Sequence, residues 1–318
     1  MGPPVNAARL IAITIALSTA AVCHAETYAL IVSGLGGEAQ YQRRFETQAN
    51  AIATAAEKLT GSKARVTSLV GEGANRDAIR QAMRTLADKA GKSDRVMIVL
   101  IGHGSFDGEE YRFNVPGPDL TATEFGQLLN QVDAGEQLIV DGTSASGAVV
   151  DRWKREGRII VSATKSGGER TATRFPQFWL EAVTSPAADI NKDDIVTAAE
   201  AFDYASRRVA ESFKADVSLA TEHARLEGDG ANTFQVARLG AAALAVADSA
   251  LNSLMEQRVK LERDIESVKG RKATLAEEVY YDELEAVLVR LALLQKQIDA
   301  QAARPAATTS MLGGSNGR

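Results

Sequence analysis

The sequence predicts an α/β fold built on a mostly parallel sheet with helices on both faces, and three observations carry that expectation. The first is the apolar run Val96–Ile101, which stops at Gly102-His103-Gly104-Ser105. The second is Gln137-Leu-Ile-Val140, which stops at a polar knot, Asp141-Gly-Thr-Ser144-Ala-Ser-Gly147. The third is the alternation of such runs with helical stretches along residues 26–230. Continuous β-branched runs bounded by turn residues fit strands buried on both faces, and the ligands of such sheets gather at the strands' carboxyl ends. His103 and Ser144 each follow such an end, so they are expected to be neighbours.

Taken in order, Thr27 to Ser33 reads as a first strand and Glu38 to Leu59 as a helix. Arg65 to Val70 is the second strand and Asn75 to Ala90 the second helix, followed by the strand that delivers His103. The turn Gly34-Leu-Gly36-Gly-Glu38-Ala39 formally fits a dinucleotide fingerprint. Glu38 would then lie beside a pyrophosphate, and the acid nearest the second strand's end, Glu72, lies beyond the usual spacing. A tight strand-to-helix turn is the better reading. Ser105 to Asn114 alternates as a hairpin around Asp107-Gly108, and Thr121-x-x-Glu124 predicts a capping box for the next helix. The Ser144 strand leads into a helix over Ala148 to Arg155. Arg158 to Ala163 is a fifth strand, with helices over Arg174 to Val183 and Val196 to Lys214.

Composition places the chain among ordinary globular proteins: 318 residues, 45% apolar and 24% charged, enough for one or two domains with a full core. Met1 to Ala25 carries one base, Arg9, then an uncharged stretch from Leu10 to Val22 and small residues before the first acid, Glu26. That is the pattern of a cleaved signal peptide, residues 1–25, and it predicts a periplasmic or secreted protein with no stable membrane span after cleavage. Lipidation of Cys23 is disfavoured by the bulky Val22 before it. Cys23 is the only cysteine, so cleavage leaves no thiol, no disulfide and no cysteine nucleophile. Without Arg9 the 36 bases become 35 against 41 acids, a net charge of −6, which argues against a nucleic-acid partner.

His-Gly after one strand and a nucleophile position followed by x-Ser-Gly after the next resemble the legumain-like branch of the caspase-like peptidases. Thr143-Ser144-Ala-Ser-Gly147 stands where legumains have Ala-Cys-Glu-Ser-Gly, Tyr41-Gln-Arg43-Arg44 resembles the Tyr-Arg-His of their substrate pocket, and Ser162-Ala-Thr164 follows the fifth strand. Leu100-Ile-Gly-His-Gly-Ser105 and Glu169-Arg-x-x-Thr-Arg174-Phe175 are similar to a secreted bacterial subgroup. The resemblance covers residues 26–230 and implies a caspase-like three-layer α/β/α sandwich. It also implies His103 as base, Ser144 in the nucleophile's place, the Gly104 and Ser144 backbone N–H groups as oxyanion hole, and a pocket of Arg43, Arg44, Ser162 and Thr164. The chain departs from the family in having Ser144 for cysteine and Gly142 where legumains place an acidic pocket residue.

A thiol ionises readily and attacks with little help, whereas an alcohol needs a base within reach and a group that orients that base. Asp107, Asp141 and Glu169 are the candidates for that orienting acid by position alone. Two functions follow: a serine-dependent peptidase or hydrolase using His103 and Ser144, or an inactive pseudopeptidase that binds peptide or protein at the cell envelope. His223 falls outside either site as a structural or surface histidine. No cofactor is required.

Asp189, Asn191, Asp193, Thr197 and Glu200 occupy positions one, three, five, nine and twelve of a calcium loop, with Asp194 at the position reserved for glycine. The alternative is an acidic lead-in to the following helix. From residue 231 the chain reads as a helical region. Leu251, Leu254, Leu261, Ile265 and Val268 form heptads that break at Gly270, and Thr274-Leu-Ala-Glu277 predicts a capping box for a second helix. The second apolar set, Leu284, Val287, Leu291, Leu294 and Ile298, is out of register with the first, so a C-terminal α-helical coiled-coil hairpin to residue 303 is expected, offering a surface to a protein partner. Residues 304–318 read as a disordered tail.

Overall fold

The structure, a computed structural model, describes residues 25–246 and 248–304. The expected signal peptide up to residue 24 and the expected tail after Arg304 lie outside the described residues. The chain runs β1 (Thr27–Ser33), α1 (Ala39–Thr60), β2 (Val66–Leu69), α2 (Arg76–Lys89) and β3 (Arg95–Ile101). A small antiparallel sheet follows, of β4 (Gly104–Phe106), β5 (Tyr111–Phe113) and β6 (Leu120–Thr121). Then come α3 (Ala122–Gln131), β7 (Glu136–Asp141), the short α4 (Val150–Trp153), β8 (Arg158–Ser162) and α5 (Phe175–Thr184). Next are β9 (Ile195–Thr197), α6 (Ala198–Ala215), β10 (Arg225–Glu227) and β11 (Gln235–Arg238), and the chain closes with α7 (Gly240–Ala245), α8 (Ser249–Gly270) and α9 (Glu277–Ala302).

The main sheet has strand order β10-β8-β7-β3-β1-β2, parallel throughout except for β10, which pairs antiparallel with β8. Successive residues of each strand face opposite cores, because the side-chain period of a strand is two. Ile31, Met97, Val99 and Val140 meet α1, α5 and α6 on one face, while Leu30, Ile98, Leu100 and Ile139 meet the α2, α3 and α4 side on the other. The result is a three-layer α/β/α sandwich with a mostly parallel sheet. The interiors of β1 (residues 29–32) and β3 (residues 96–101) carry no polar residue because both their faces are buried, which is the cause of the unbroken apolar runs seen in the sequence.

Four expectations are corrected. The helical region expected from residue 231 starts only with α7, because Gln235–Arg238 is strand β11, paired with β9. The helix expected from Ala148 to Arg155 is a 3-10 turn over Ser146–Val149 followed by one α-helical turn, α4, because Gly147 N–H is held by the Thr164 hydroxyl at 2.8 Å. Val196 is not helical: it pairs with Ala237 in the β9–β11 ribbon, and Thr197 caps α6 in a complete capping box with Glu200. The Thr274–Glu277 capping box does not form, since α9 begins at Glu277 behind Ala276 and the Thr274 hydroxyl donates to the Arg271 carbonyl at 2.9 Å.

α8 and α9 form an antiparallel hairpin, as shown by Gln301 at the end of α9 donating to Asp248 at the start of α8 (2.9 Å). Leu251, Met255, Leu261, Leu294 and Ile298 are its buried seam, which continues onto Ala241, Ala242 and Ala245 of α7. Buried Arg258 of α8 donates to the Lys192 carbonyl, tying the hairpin to the loop before β9. On its outer side α9 leaves Val279, Tyr281, Leu288, Val289 and Leu293 exposed. Among the described residues no helix is long and apolar enough to cross a membrane.

Candidate active site

β3 and β7 are adjacent and in register from Arg95↔Glu136 to Leu100↔Asp141, so the chain segments that leave them emerge side by side. Gly142 N–H donates to the Leu100 carbonyl (2.9 Å), extending the ladder beyond the strand. Gly104 then lies directly on the nucleophile position: a Cβ there would stand 2.4 Å from the Ser144 carbonyl oxygen and 2.7 Å from Thr143 Oγ1. Only glycine permits that approach. Ser144 itself is almost wholly buried, and its hydroxyl makes no hydrogen bond among the described residues.

The knot is held by a buried polar hub. Asp141 accepts from Thr143 N–H (3.1 Å) and the Thr143 hydroxyl (2.7 Å), while the Thr143 hydroxyl meets Tyr111 Oη at 2.5 Å. Burial is the main reason the Asp141 carboxyl is pushed up to about 6, opposed by the hydrogen bonds from Thr143 and Tyr111, and its second oxygen has no partner. Ala145, next to Ser144, adopts a left-handed backbone (φ 58°) and is pinned by its N–H to the Glu169 carbonyl at 2.8 Å. A non-glycine residue pays for that conformation, so the surrounding bonds must enforce it.

His103 is half-buried, and its ring lies edge-on to Tyr41 (5.0 Å between centroids) and Phe45 (5.1 Å) of α1. Burial holds its pKa below the ordinary histidine value; a backbone hydrogen bond with Gly36 and the charge of Glu38 oppose this, and the Arg44 charge assists it. The Arg44 guanidinium stacks over the same two rings, 4.9 Å from Tyr41 and 5.3 Å from Phe45. The imidazole is therefore neutral at pH 7 and is oriented by a main-chain carbonyl and two aromatic edges. None of the three carboxylates considered from sequence touches it.

Each of those carboxylates is engaged elsewhere. Asp107 caps its own hairpin, accepting from Glu109 and Glu110 N–H and pairing with Arg112 at 2.6 Å, which holds its carboxyl far below the usual range. Asp141 serves the Thr143 hub. Glu169 accepts from Lys165 N–H (2.9 Å) and pairs with His223, whose Nδ1 lies 2.5 Å from Glu169 Oε1. Burial raises the Glu169 pKa, but the bonds from Lys165 and His223 outweigh it, so the group is held below its ordinary value.

Solved structures similar to this one include the following two. Protein GSU0716 from Geobacter sulfurreducens matches with 15% identity and a TM-score of 0.46, over 66% of this chain and 96% of its own. Caspase-1 from Spodoptera frugiperda matches with 11% identity and a TM-score of 0.44, over 68% of this chain and 91% of its own. No family model and no curated protein matches the sequence.

The residues assigned to a substrate pocket fall into two groups. Arg43 and Arg44 are exposed on the first turns of α1 beside Tyr41. Ser162 and Thr164 are fully buried, and their hydroxyls are spent on the chain itself: Ser162 donates to the Thr164 carbonyl (2.9 Å), and Thr164 meets the Ser146 hydroxyl (3.3 Å) and Gly147 N–H (2.8 Å). Gly142 has no room for a side chain, since a Cβ would stand 2.7 Å from Pro176 Cγ. That packing accounts for the missing acid two residues before Ser144.

Sequence reasoning set His223 aside, yet β10 brings it to the same edge of the sheet. β10 runs antiparallel to β8 with Arg225 opposite Ser162, so the residues before it return to the carboxyl ends. A three-residue strand without an apolar run leaves no periodic signal, which is why the pairing of His223 with Glu169, 54 positions apart, is invisible in the sequence.

In the Asp189–Glu200 loop the carboxylates face the backbone. Asp189 accepts from Asp193 and Asp194 N–H (3.1 and 2.9 Å), Asp193 from Ile195 N–H (2.8 Å), and Asn191 Oδ1 from Asp193 N–H (3.0 Å). Glu200 accepts from Ile190 N–H (3.2 Å) and from the Thr197 N–H and hydroxyl (2.9 and 2.8 Å). Asp194 takes the left-handed conformation (φ 62°) that the glycine position of a calcium loop requires. Among the described residues no three or more His, Cys, Asp or Glu side chains are grouped to hold a metal ion.

Proposed function

We propose that this chain is a caspase- and legumain-like peptidase homologue that binds peptide without cleaving it, exported to the periplasm or beyond by residues 1–25. The observation that carries this reading is the pairing at the site: His103 has two aromatic edges and the Gly36 backbone for partners, and the Ser144 hydroxyl has none. A cysteine in that place would still ionise beside a neutral imidazole. A serine would not, because removing its proton generates an imidazolium to which no carboxylate is hydrogen-bonded among the described residues, Glu38 acting on it only through its charge. Arg43 and Arg44 are the exposed side chains proposed to meet the ligand.

A fluorophosphonate probe tests the reading on the mature protein. The expected result is no labelling of wild type, together with iodoacetamide reactivity gained by Ser144→Cys and lost again in Ser144→Cys/His103→Ala. Stoichiometric labelling at Ser144 that disappears in His103→Ala would overturn it and establish a serine hydrolase instead.

For the hairpin, a second copy of this chain is the proposed partner. The exposed stripe of Tyr281, Leu288, Val289 and Leu293 is flanked by acids in the first part of α9 (Glu277, Glu278, Asp282, Glu283, Glu285) and by Arg290 and Lys296 later. An antiparallel pairing about a two-fold axis sets the acidic end of one helix against the basic end of the other. Sedimentation velocity is expected to show a dimer that Leu288→Glu converts to a monomer; a monomeric wild type at micromolar concentration would exclude it.

A further inference from the structure

A cavity lies away from His103 and Ser144, in the seam where the β9–β11 ribbon meets α7 and α8. It has a volume of about 640 Å3 and is walled by Ile195, Ala242, Met255 and Val259. Into it projects Arg238 of β11, half-buried, with its guanidinium Nε and Nη2 both directed at Gln235 Oε1 (3.3 Å each). Its Nη1 has no partner among the described residues, and no carboxylate lies within ion-pair distance of it. The charge that acts on it is another cation, Arg95 of β3, which is itself paired with Glu136 (2.5 Å).

A guanidinium moved partly out of water without a counter-ion is costly, and the protein does not supply the compensation. Burial accordingly pulls the Arg238 pKa below the ordinary arginine value, with Arg95 adding to the effect. An anion entering the cavity would provide what is missing, two N–H donors in a fixed fork being suited to a carboxylate. Ile195, Ala242, Ala245, Val246, Met255 and Val259 make an apolar wall suited to an apolar ligand body, while Gln235, Ser249, Asn252 and Glu256 line the rest. Glu256, the acid on the α8 wall, accepts from Asn252 (3.0 Å) and is exposed, which leaves it solvated at the rim.

We propose that this cavity binds a small organic carboxylate with an aliphatic tail, the carboxylate on Arg238 and the tail against Ile195, Met255 and Val259. The volume lies within the range of pockets that enclose small ligands. Its position gives it a structural consequence: the tail would touch both the ribbon of the sandwich and the first helix of the hairpin, and so couple occupancy to how firmly α8 is docked.

Isothermal titration with decanoate is the test, with decanol as the same chain without charge and acetate as the charge without the chain. Decanoate is expected to bind saturably, and both controls at least about tenfold more weakly, the difference a charge-assisted hydrogen bond makes. Arg238→Gln is expected to lose that preference for decanoate over decanol. Val259→Trp, a substitution at a partly exposed wall position, is expected to block the cavity while leaving the melting temperature of the free protein unchanged, and it carries the test if Arg238→Gln folds poorly. Equal affinity for decanoate and decanol, undiminished decanoate binding by both variants, or no binding at millimolar decanoate would overturn the proposal.

Discussion

Replacing Asp141 by asparagine tests whether the base of the Ser144 knot is a buried, protonatable hub. In the folded protein the carboxyl is pushed from 3.8 to about 6 because it is fully buried with one oxygen unpartnered, and a difference of that size corresponds to about 3 kcal/mol between its two protonation states. The folded state therefore holds a proton that the unfolded chain has already released over the window from about pH 4 to pH 6, and stability falls as the pH rises through it. Glu222, which accepts the Arg174 and Phe175 N–H groups at the start of α5 (2.7 and 2.8 Å), is pushed up to about 7 by burial and slopes in the same direction. Wild type should accordingly lose stability between pH 4.5 and pH 7.5. Asp141→Asn keeps an oxygen for Thr143 and never ionises, so it should show only the part of the slope due to Glu222 and be the more stable protein at pH 7.5, by up to about 3 kcal/mol. Urea unfolding at three pH values measures both curves. Parallel curves for wild type and variant, or a variant that loses more stability at pH 7.5 than at pH 4.5, would refute the account of the hub.

Gly104→Ala is expected to cost about 1–3 kcal/mol, since its methyl group must displace the Ser144 carbonyl and the Thr143 hydroxyl from a packed position; an unchanged urea midpoint would mean the β3 and β7 ends are not in contact. Calcium at millimolar concentration is expected to leave the melting temperature unchanged, because the Asp189 and Glu200 carboxylates are committed to backbone N–H groups and the Thr197 hydroxyl. A calcium-dependent rise that Asp189→Asn abolishes would instead establish the ion in that loop.

What was legible in the sequence was what periodicity encodes. The strands before His103 and Ser144 are apolar on both faces because helices cover both, and their carboxyl ends could be located without knowing any contact. The hairpin was legible for the same reason, its two apolar sets being seven-residue patterns out of phase across Gly270. The elements that escaped are those whose pairing, not composition, makes them strands. β9 and β10 are three residues each, and Val196 runs directly into the helix formers Ala198, Ala199 and Glu200, with Thr197, the N-cap of α6, marking the boundary. Side-chain partnerships across long sequence distances escaped as well. Glu169 reads as a candidate for orienting His103, and only the return of the chain through β10 gives it to His223.

The two histidines at this end of the sheet have different partners. His103 emerges beside Ser144 but is oriented by carbonyl and aromatic groups, whereas His223 has an oriented carboxylate and stands across β8 from the knot, beyond the strand that follows Ser144's own. The Glu169 carbonyl accepts from Ala145 N–H beside Ser144, while its carboxylate is given to His223 and not to His103. The strand order is fixed by the buried apolar runs and would be costly to change, while the polar loops at its end are held by local bonds such as those from Thr143 to Asp141 and from Gly147 to Thr164. The polar partners at the strand ends can therefore change without disturbing the apolar packing that sets the strand order, which is why the Ser144→Cys and His103→Ala substitutions read the chemistry of the site separately from the stability of the fold.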